Sequence, residues 1–212
     1  MTDSPKRRIL TGEDVQYLPD GSMVTVEPGT ILTDIAREWI EKKKIRLESS
    51  GASAPRSPLG VHVAIGSDHG GFDMKQQLRR ILDQSGIEFE DHGTFSKQSV
   101  DYPDIAQRVG LAVATGEARL GILIDGAGIG SALAANKIPG VRAGACLSEA
   151  AAKNGREHND LNVMTLGSGL MDPLELPRIV HTFINSSISE PRHRARVQKI
   201  IDIERKHSRP IE

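Results

Sequence analysis

Residues 121–137, GILIDGAGIGSALAANK, constrain the fold more than any other stretch of this chain. An apolar run, Ile122-Leu123-Ile124, ends in a carboxylate, Asp125. Gly126, Gly128 and Gly130 follow, and an alanine-rich helical pattern begins behind them. A strand that passes through a glycine loop into a helix is the unit from which parallel α/β sheets are built. The glycines let the backbone approach a ligand closely, and the N–H groups of the loop and helix start gather around negative charge. Asp125 at the mouth of the loop sets a base beside a cradle for an anion. That pairing suits an enzyme that removes a proton next to a carbonyl and stabilises the enediolate that results.

The same alternation runs on both sides. Residues 61–66, 88–91, 121–124, 141–145 and 163–166 read as strands, and 71–84, 102–115, 131–136, 149–157 and 172–185 as helices. A last helix is predicted over 192–206. Five strands separated by helices predict an α/β fold with a doubly wound, parallel, five-stranded sheet. Aromatic residues make up only 3 % of the chain, so the core is built from Ile, Leu, Val and Ala, which suits such a sheet.

Ahead of this lies a small N-terminal extension, residues 1–48, and a linker over 49–60 that contains SSGASAPRSP. The larger part spans 61–206, with a tail at 207–212. In the extension a short helix is expected over 12–17, a strand at Val24-Thr25-Val26 and a turn at Pro28-Gly29. Thr33 is placed to cap a helix over 34–44 that carries Ile35, Trp39 and Ile40 on one face. Two readings of the extension stand side by side: a small packing module, or a docking or targeting element.

Composition removes several function classes. The formal net charge is -1, which gives no footprint for nucleic acid. The longest apolar runs are far short of a membrane span, and MTDSPKRR does not read as a secretory signal. A single cysteine, Cys146, excludes an intrachain disulfide and fits the cytoplasm, where it reads as a small buried residue. No Cys/His spacing suggests a metal site.

Ligands in open parallel sheets sit outside the carboxyl ends of the strands. Ser67-Asp68-His69-Gly70-Gly71 follow the first strand, Asp125 and its loop the third, and His158-Asn159-Asp160 precede the fifth. Each alone reads equally as a helix cap or a hydrogen-bonded loop; together they are expected to converge on one rim. Arg192 and Arg196 share a face at the start of the last helix, either as a solvated helix end or as phosphate ligands.

The segments GSDHGGF, DYPD, GAGIGSALAANK, REHNDLNV and PRHRARV occur in that order between residues 61 and 205. Together they resemble the ribose-5-phosphate isomerase type B family, which includes galactose-6-phosphate isomerase subunits. The resemblance implies a Rossmann-like sheet and interconversion of an aldose and a ketose phosphate through an enediolate, with no metal or other cofactor. It also implies a homodimer or tetramer whose active sites are shared across the dimer interface. Residue by residue, Asp68 and His69 match the pair that contacts the sugar or its phosphate. Gly126, Ala127, Gly128, Ile129 and Gly130 match the loop whose amides hold the enediolate oxygens, helped by Asn159. His158 matches the histidine that assists ring opening, and Arg192 and Arg196 match arginines that bind phosphate, reaching the neighbouring subunit's site. Three positions depart from the ribose-phosphate pattern. Asp125 stands where many members have a cysteine base, Ala127 where a threonine is common, and Gly169 where an arginine often contacts phosphate.

The run LTGEDV…PGTILTDIAREWIEKKKIRL is similar to N-terminal segments on some enzymes of bacterial microcompartments. That implies a role as cargo in a sugar-phosphate-degrading microcompartment; oligomer packing is the alternative. Two functions therefore compete: an isomerase with Asp125 as base and ribose 5-phosphate as first substrate, or a catalytically weak subunit that binds sugar phosphates or acts as a scaffold. A dinucleotide site fits worse, because the glycine loop follows the third strand and not the first.

Overall fold

The computed structural model describes residues 9–10, 12–26, 31–49, 62–188 and 190–208. The expected turn at Pro28-Gly29, most of the expected linker and the end of the tail lie outside them. The chain divides into two compact units, Met1–Pro55 and Arg56–Glu212.

The first unit holds β1 (Ile9–Leu10), α1 (Gly12–Val15), β2 (Met23–Val26), β3 (Ile31–Leu32), α2 (Asp34–Lys42) and β4 (Arg46–Ser49). β1 pairs with β3 and β2 with β4, both in parallel. Thr33 caps α2 as expected, its Oγ1 accepting the Ala36 N–H at 3.2 Å. Leu10, Val15, Ala36 and Ile45 are buried, with Trp39 and Ile40 packed against them. The sequence reading finds only one of these four strands. Strands of two to four residues are too short to show an alternating pattern.

The second unit contains β5 (His62–Ser67), α3 (Phe72–Gln84), β6 (Glu88–Asp91), α4 (Tyr102–Ala114), β7 (Leu120–Asp125) and α5 (Ile129–Ala135). β8 (Ala143–Ala145), α6 (Glu149–Asn159) and β9 (Val163–Gly167) follow, then one 3₁₀ turn (Pro173–Glu175), α7 (Leu176–Asn185) and α8 (Pro191–His207). The five strands form one parallel sheet in the order β6-β5-β7-β9-β8. Alternation divides them between two cores. Val63, Ile65, Ile122, Ile124, Met164 and Leu166 meet Met74, Leu78, Leu176 and Phe183 on one face. Ala64, Leu123 and Val163 meet Ile105, Val109, Ala112 and Ala135 on the other. On that second face Gly66 and Gly121 let α4 come close. A methyl group on Gly66 would lie 2.6 Å from Ile105.

The order of strands places the reversal of winding between β5 and β7. The chain leaves β5 toward β6 on one side and returns to β7 on the other. The crevice at the carboxyl ends of these two strands is where such sheets hold ligands.

Candidate active site

Asp68 follows β5 and its N–H donates to the carbonyl of Ile124 at 3.1 Å, so it stands against the end of β7. Its carboxylate accepts the Gly71 N–H at 2.9 Å and so opens α3. Only glycine fits at 71, because a Cβ there would be 2.3 Å from the Ile124 carbonyl oxygen. Across the crevice, Asp125 ends β7 and is 5 % exposed. Its Oδ1 accepts the N–H groups of Ala127, at 2.8 Å, and Gly128. Its Oδ2 accepts the Ser131 N–H at 2.9 Å, and the Ser131 side chain adds a further donor. Burial pushes the Asp125 carboxyl up, but the donors from Ser131, Gly128 and Ala127 outweigh it and hold the group below the ordinary carboxylate value.

These bonds shape the loop. Gly128 adopts φ +76 at the N-cap of α5, a left-handed conformation that favours glycine. The Thr165 hydroxyl on β9 donates to the Gly128 carbonyl at 2.5 Å. Gly169 N–H donates to the Gly126 carbonyl at 3.0 Å, and the Ser168 hydroxyl reaches the carbonyls of Gly70 and Asp125. The ends of β5, β7 and β9 are thus tied together. Tyr102 lies over the turn: a Cβ on Gly130 would be 2.7 Å from its ring.

Within the loop, the structure narrows the expected anion cradle. The N–H groups of Ala127 and Gly128 are turned on Asp125. Those of Gly126, Ile129 and Gly130 have no acceptor among the described residues. A Cβ at Gly126 would meet nothing within 4 Å, so the space on that side of its Cα is open. His69 is exposed nearby, its Nδ1 accepting the Val100 N–H at 3.4 Å.

His158 and Asn159 do not join this cluster, which corrects the expectation of one convergent rim. Helices that cross between parallel strands run against them, so α6 begins at the carboxyl rim and ends at the amino rim. The chain then enters β9 through Asn162, whose carbonyl accepts the N–H of Gly121 at 2.8 Å. Gly121 lies near the start of β7 and Asp125 at its end, about 13 Å apart along a strand. Arg192 and Arg196 are exposed on α8, which packs on α6 and reaches Gly140, whose N–H donates to Glu204 at 2.9 Å. They belong to the amino rim with His158. The two groups of candidate residues therefore lie at opposite ends of the sheet.

Asp160, third in the HND run, is structural. It adopts φ 49 at the end of α6, and its carboxylate pairs with Arg142 at 2.8 Å and Arg156 at 3.4 Å. Cys146 is buried, and burial pushes its thiol up to about 11, so it is inert as expected. The sequence reading gave no role to Ser131, Thr165, Ser168 or Tyr102. Ser131 and Tyr102 lie inside the quoted GAGIGSALAANK and DYPD segments, whereas Thr165 and Ser168 reach the loop from β9 and the turn behind it, where no quoted motif pointed. Among the described residues no group of three His, Cys, Asp or Glu could hold a metal ion. No described helix is long and apolar enough to cross a membrane.

Comparison with known proteins covers this second unit. The chain is 42 % identical over 147 residues to ribose-5-phosphate isomerase B of Escherichia coli, spanning 69 % of this chain and 98 % of that protein. The structure of ribose-5-phosphate isomerase B from Clostridium thermocellum superposes with a TM-score of 0.68 at 42 % identity, over 69 % of this chain and 99 % of that one. The type B ribose 5-phosphate isomerase of Trypanosoma brucei gives 0.65 at 41 % identity, over 68 % and 99 %. The Ribose/Galactose Isomerase profile matches residues 63–200 and leaves the amino-terminal unit outside it. Over its second unit, this chain belongs to the Ribose/Galactose Isomerase family.

Proposed function

We propose that the chain is an aldose–ketose isomerase of a small sugar phosphate, with ribose 5-phosphate and ribulose 5-phosphate as its first pair. The observation that carries this reading is the glycine loop at the winding reversal, with three amides that have no acceptor among the described residues beside two carboxylates. The reaction moves one proton from C2 to C1 while a second moves between the two oxygens. The intermediate is an enediolate, and the amides of Gly126, Ile129 and Gly130 are the donors available to its oxygens. Asp125 serves as the base, and Asp68 and His69 hold the sugar's hydroxyls. The amino-rim groups complete the site from a second copy of the chain. The partner's His158 assists ring opening, its Asn159 supports the oxyanion, and its Arg192 and Arg196 clamp the phosphate. Separation of the two half-sites supports a homodimer with two shared sites. The amino-terminal unit is a docking element on this reading, and attachment to a microcompartment is one use of it.

One observation favours a second reading. The Asp125 carboxylate already meets four donors, so it takes a substrate proton only by releasing one of them. A sugar-phosphate-binding subunit of low activity fits that arrangement. Incubation with ribose 5-phosphate in D2O, followed by proton NMR, separates the two. Loss of the C2 proton signal with formation of ketose supports the isomerase. Thermal stabilisation by sugar phosphates without exchange in ribose 5-phosphate, erythrose 4-phosphate or galactose 6-phosphate supports the binding subunit. The shared site is tested by mixing two inactive variants, Asp68→Asn and His158→Asn, and letting subunits exchange. Mixed dimers regain one intact site, whereas sites confined within single chains regain nothing.

A further inference from the structure

His158 lies in the last turn of α6 with its ring stacked on that of His193, in the first turn of α8. The ring centroids are 4.0 Å apart and the planes differ by 9°. His193 is 3 % exposed, and its Nδ1 is buried without a partner. At its other edge His158 is held by Asn154, whose Nδ2 lies 3.1 Å from the His158 Nδ1. The Asn154 amide donates to that nitrogen, so the proton of the neutral His158 ring sits on Nε2. His158 is therefore fixed by a hydrogen bond at one edge and by a flat aromatic surface on one face.

Most of what surrounds His193 favours its uncharged ring. A cation there would bury an N–H that has no acceptor. Burial, His158, Arg192 and Arg196 all lower its pKa, and only Glu190 opposes them. A neutral ring stacks on His158 without repelling it, where a charged one would compete with it for the proton.

We propose that His193 is a positioning residue that locks the His158 imidazole for opening of the cyclic sugar. The proposal rests on the isomerase reading for its chemistry but not for its geometry. Stacking sets the plane of the His158 ring, and the Asn154 bond sets which nitrogen carries the proton. Together they leave the Nε2 edge as the one that gives and takes protons at the sugar ring. His193 itself touches no reacting atom.

The test compares His193→Ala, which removes the flat surface, with His193→Phe, which keeps it. Ribose 5-phosphate exists mainly as a furanose and must be opened. Erythrose 4-phosphate has its 4-hydroxyl esterified and cannot close that ring. With His193→Ala, kcat on ribose 5-phosphate is expected to fall about tenfold or more while kcat on erythrose 4-phosphate changes less than about threefold. His193→Phe recovers most of the loss. Equal effects on both substrates, or a Phe variant as poor as Ala, would overturn the proposal. A second measurement needs no turnover: 13C relaxation of the His158 ring. A rigid ring in the wild type and His193→Phe, and a mobile one in His193→Ala, supports the lock. Equal order in all three refutes it. If the wild-type chain isomerises neither sugar, the isomerase reading fails and the relaxation result still decides the geometry.

Discussion

Replacing Asp125 with Ala removes the acceptor around which the glycine loop is wound, and the cost follows from its hydrogen bonds. The Gly128 and Ser131 N–H groups are buried and turned on this carboxylate, and the Ala127 N–H is partly buried. A buried donor left without an acceptor costs roughly 1–3 kcal/mol, so two of them put the loss at about 4 kcal/mol. That is a large share of the roughly 5–15 kcal/mol that holds a domain folded. Asp125→Asn keeps an oxygen for Ala127 and Gly128 but turns its NH2 on the Ser131 N–H. One donor is then stranded, and the loss is about 1–3 kcal/mol. Urea unfolding followed by far-UV circular dichroism measures both. The single tryptophan, Trp39, sits in the amino-terminal unit and would report on the wrong part of the chain. With a slope near 2 kcal/mol/M, the Ala variant's midpoint falls by about 2 M. The pH dependence gives a second reading. The folded-state pKa of Asp125 lies below its unfolded value, so its stabilisation is present above about pH 4 and is lost as the pH falls through the folded pKa. The gap between wild type and Asp125→Ala should narrow in acid. A midpoint unchanged by Asp125→Ala, or a gap that widens in acid, would refute the argument that this carboxylate anchors the loop.

Gly126→Ala should leave the urea midpoint unchanged, since the new methyl group meets nothing within 4 Å. It should cut kcat/KM by about a hundredfold by filling the space beside a free amide, as steady-state kinetics would show. Lys75 is wholly buried, its Nζ donating to Asp91 and to the Thr94 carbonyl, at 2.6 Å. Lys75→Met leaves the largely buried Asp91 carboxylate with the Gly93 N–H at 3.0 Å and Arg79 at 3.8 Å and should cost about 2–4 kcal/mol in the same urea assay, with Lys75→Met/Asp91→Asn recovering part of it. Asp125→Cys should move the acid limb of the kcat/KM pH profile upward from below the carboxylate range toward that of a thiol, because it changes the ionising group at the base position. An unmoved limb would mean that another group is the base.

The sheet was legible because each long strand is an apolar run closed by glycine or a carboxylate, and each helix carries a buried stripe. Strand β8 starts two residues later than expected, at Ala143, because Arg142 turns its N–H to the Asn162 side chain instead of a strand partner. The helix expected over 172–185 begins as a separate 3₁₀ turn capped by Asp172, since Pro173 and Pro177 both withhold an N–H. In the site, residue types and the loop were readable, but the direction of each hydrogen bond was not. Asp125 looks the same in sequence whether it faces a substrate or its own loop. The placement of His158 was misjudged for a related reason. Proximity to a strand in sequence does not say at which end of that strand a residue lies. A residue just before a parallel strand is at the amino rim, and one just after it is at the carboxyl rim. Applied to HND and to Asp125, that rule separates them without any coordinates.

The fate of the chemistry turns on how much a strong anchor weakens a base. A general base supplies about 10²–10⁴ in rate, and a single oxyanion donor about 10²–10³. If Asp125 is the base, its four donors reduce the first contribution, because a carboxylate held below its ordinary pKa binds a substrate proton less well. The same donors hold the loop in one shape, which leaves the Gly126, Ile129 and Gly130 amides in place before substrate arrives. Preorganised donors stabilise an enediolate without reorganising at the moment of reaction. A thiol at position 125 is a weaker acceptor and would hold the Ala127, Gly128 and Ser131 amides less firmly. The carboxylate therefore exchanges some reactivity at one atom for a rigid cradle at several. Such an exchange favours an enzyme with a slow proton transfer and a well-formed intermediate site over a subunit that has lost its chemistry.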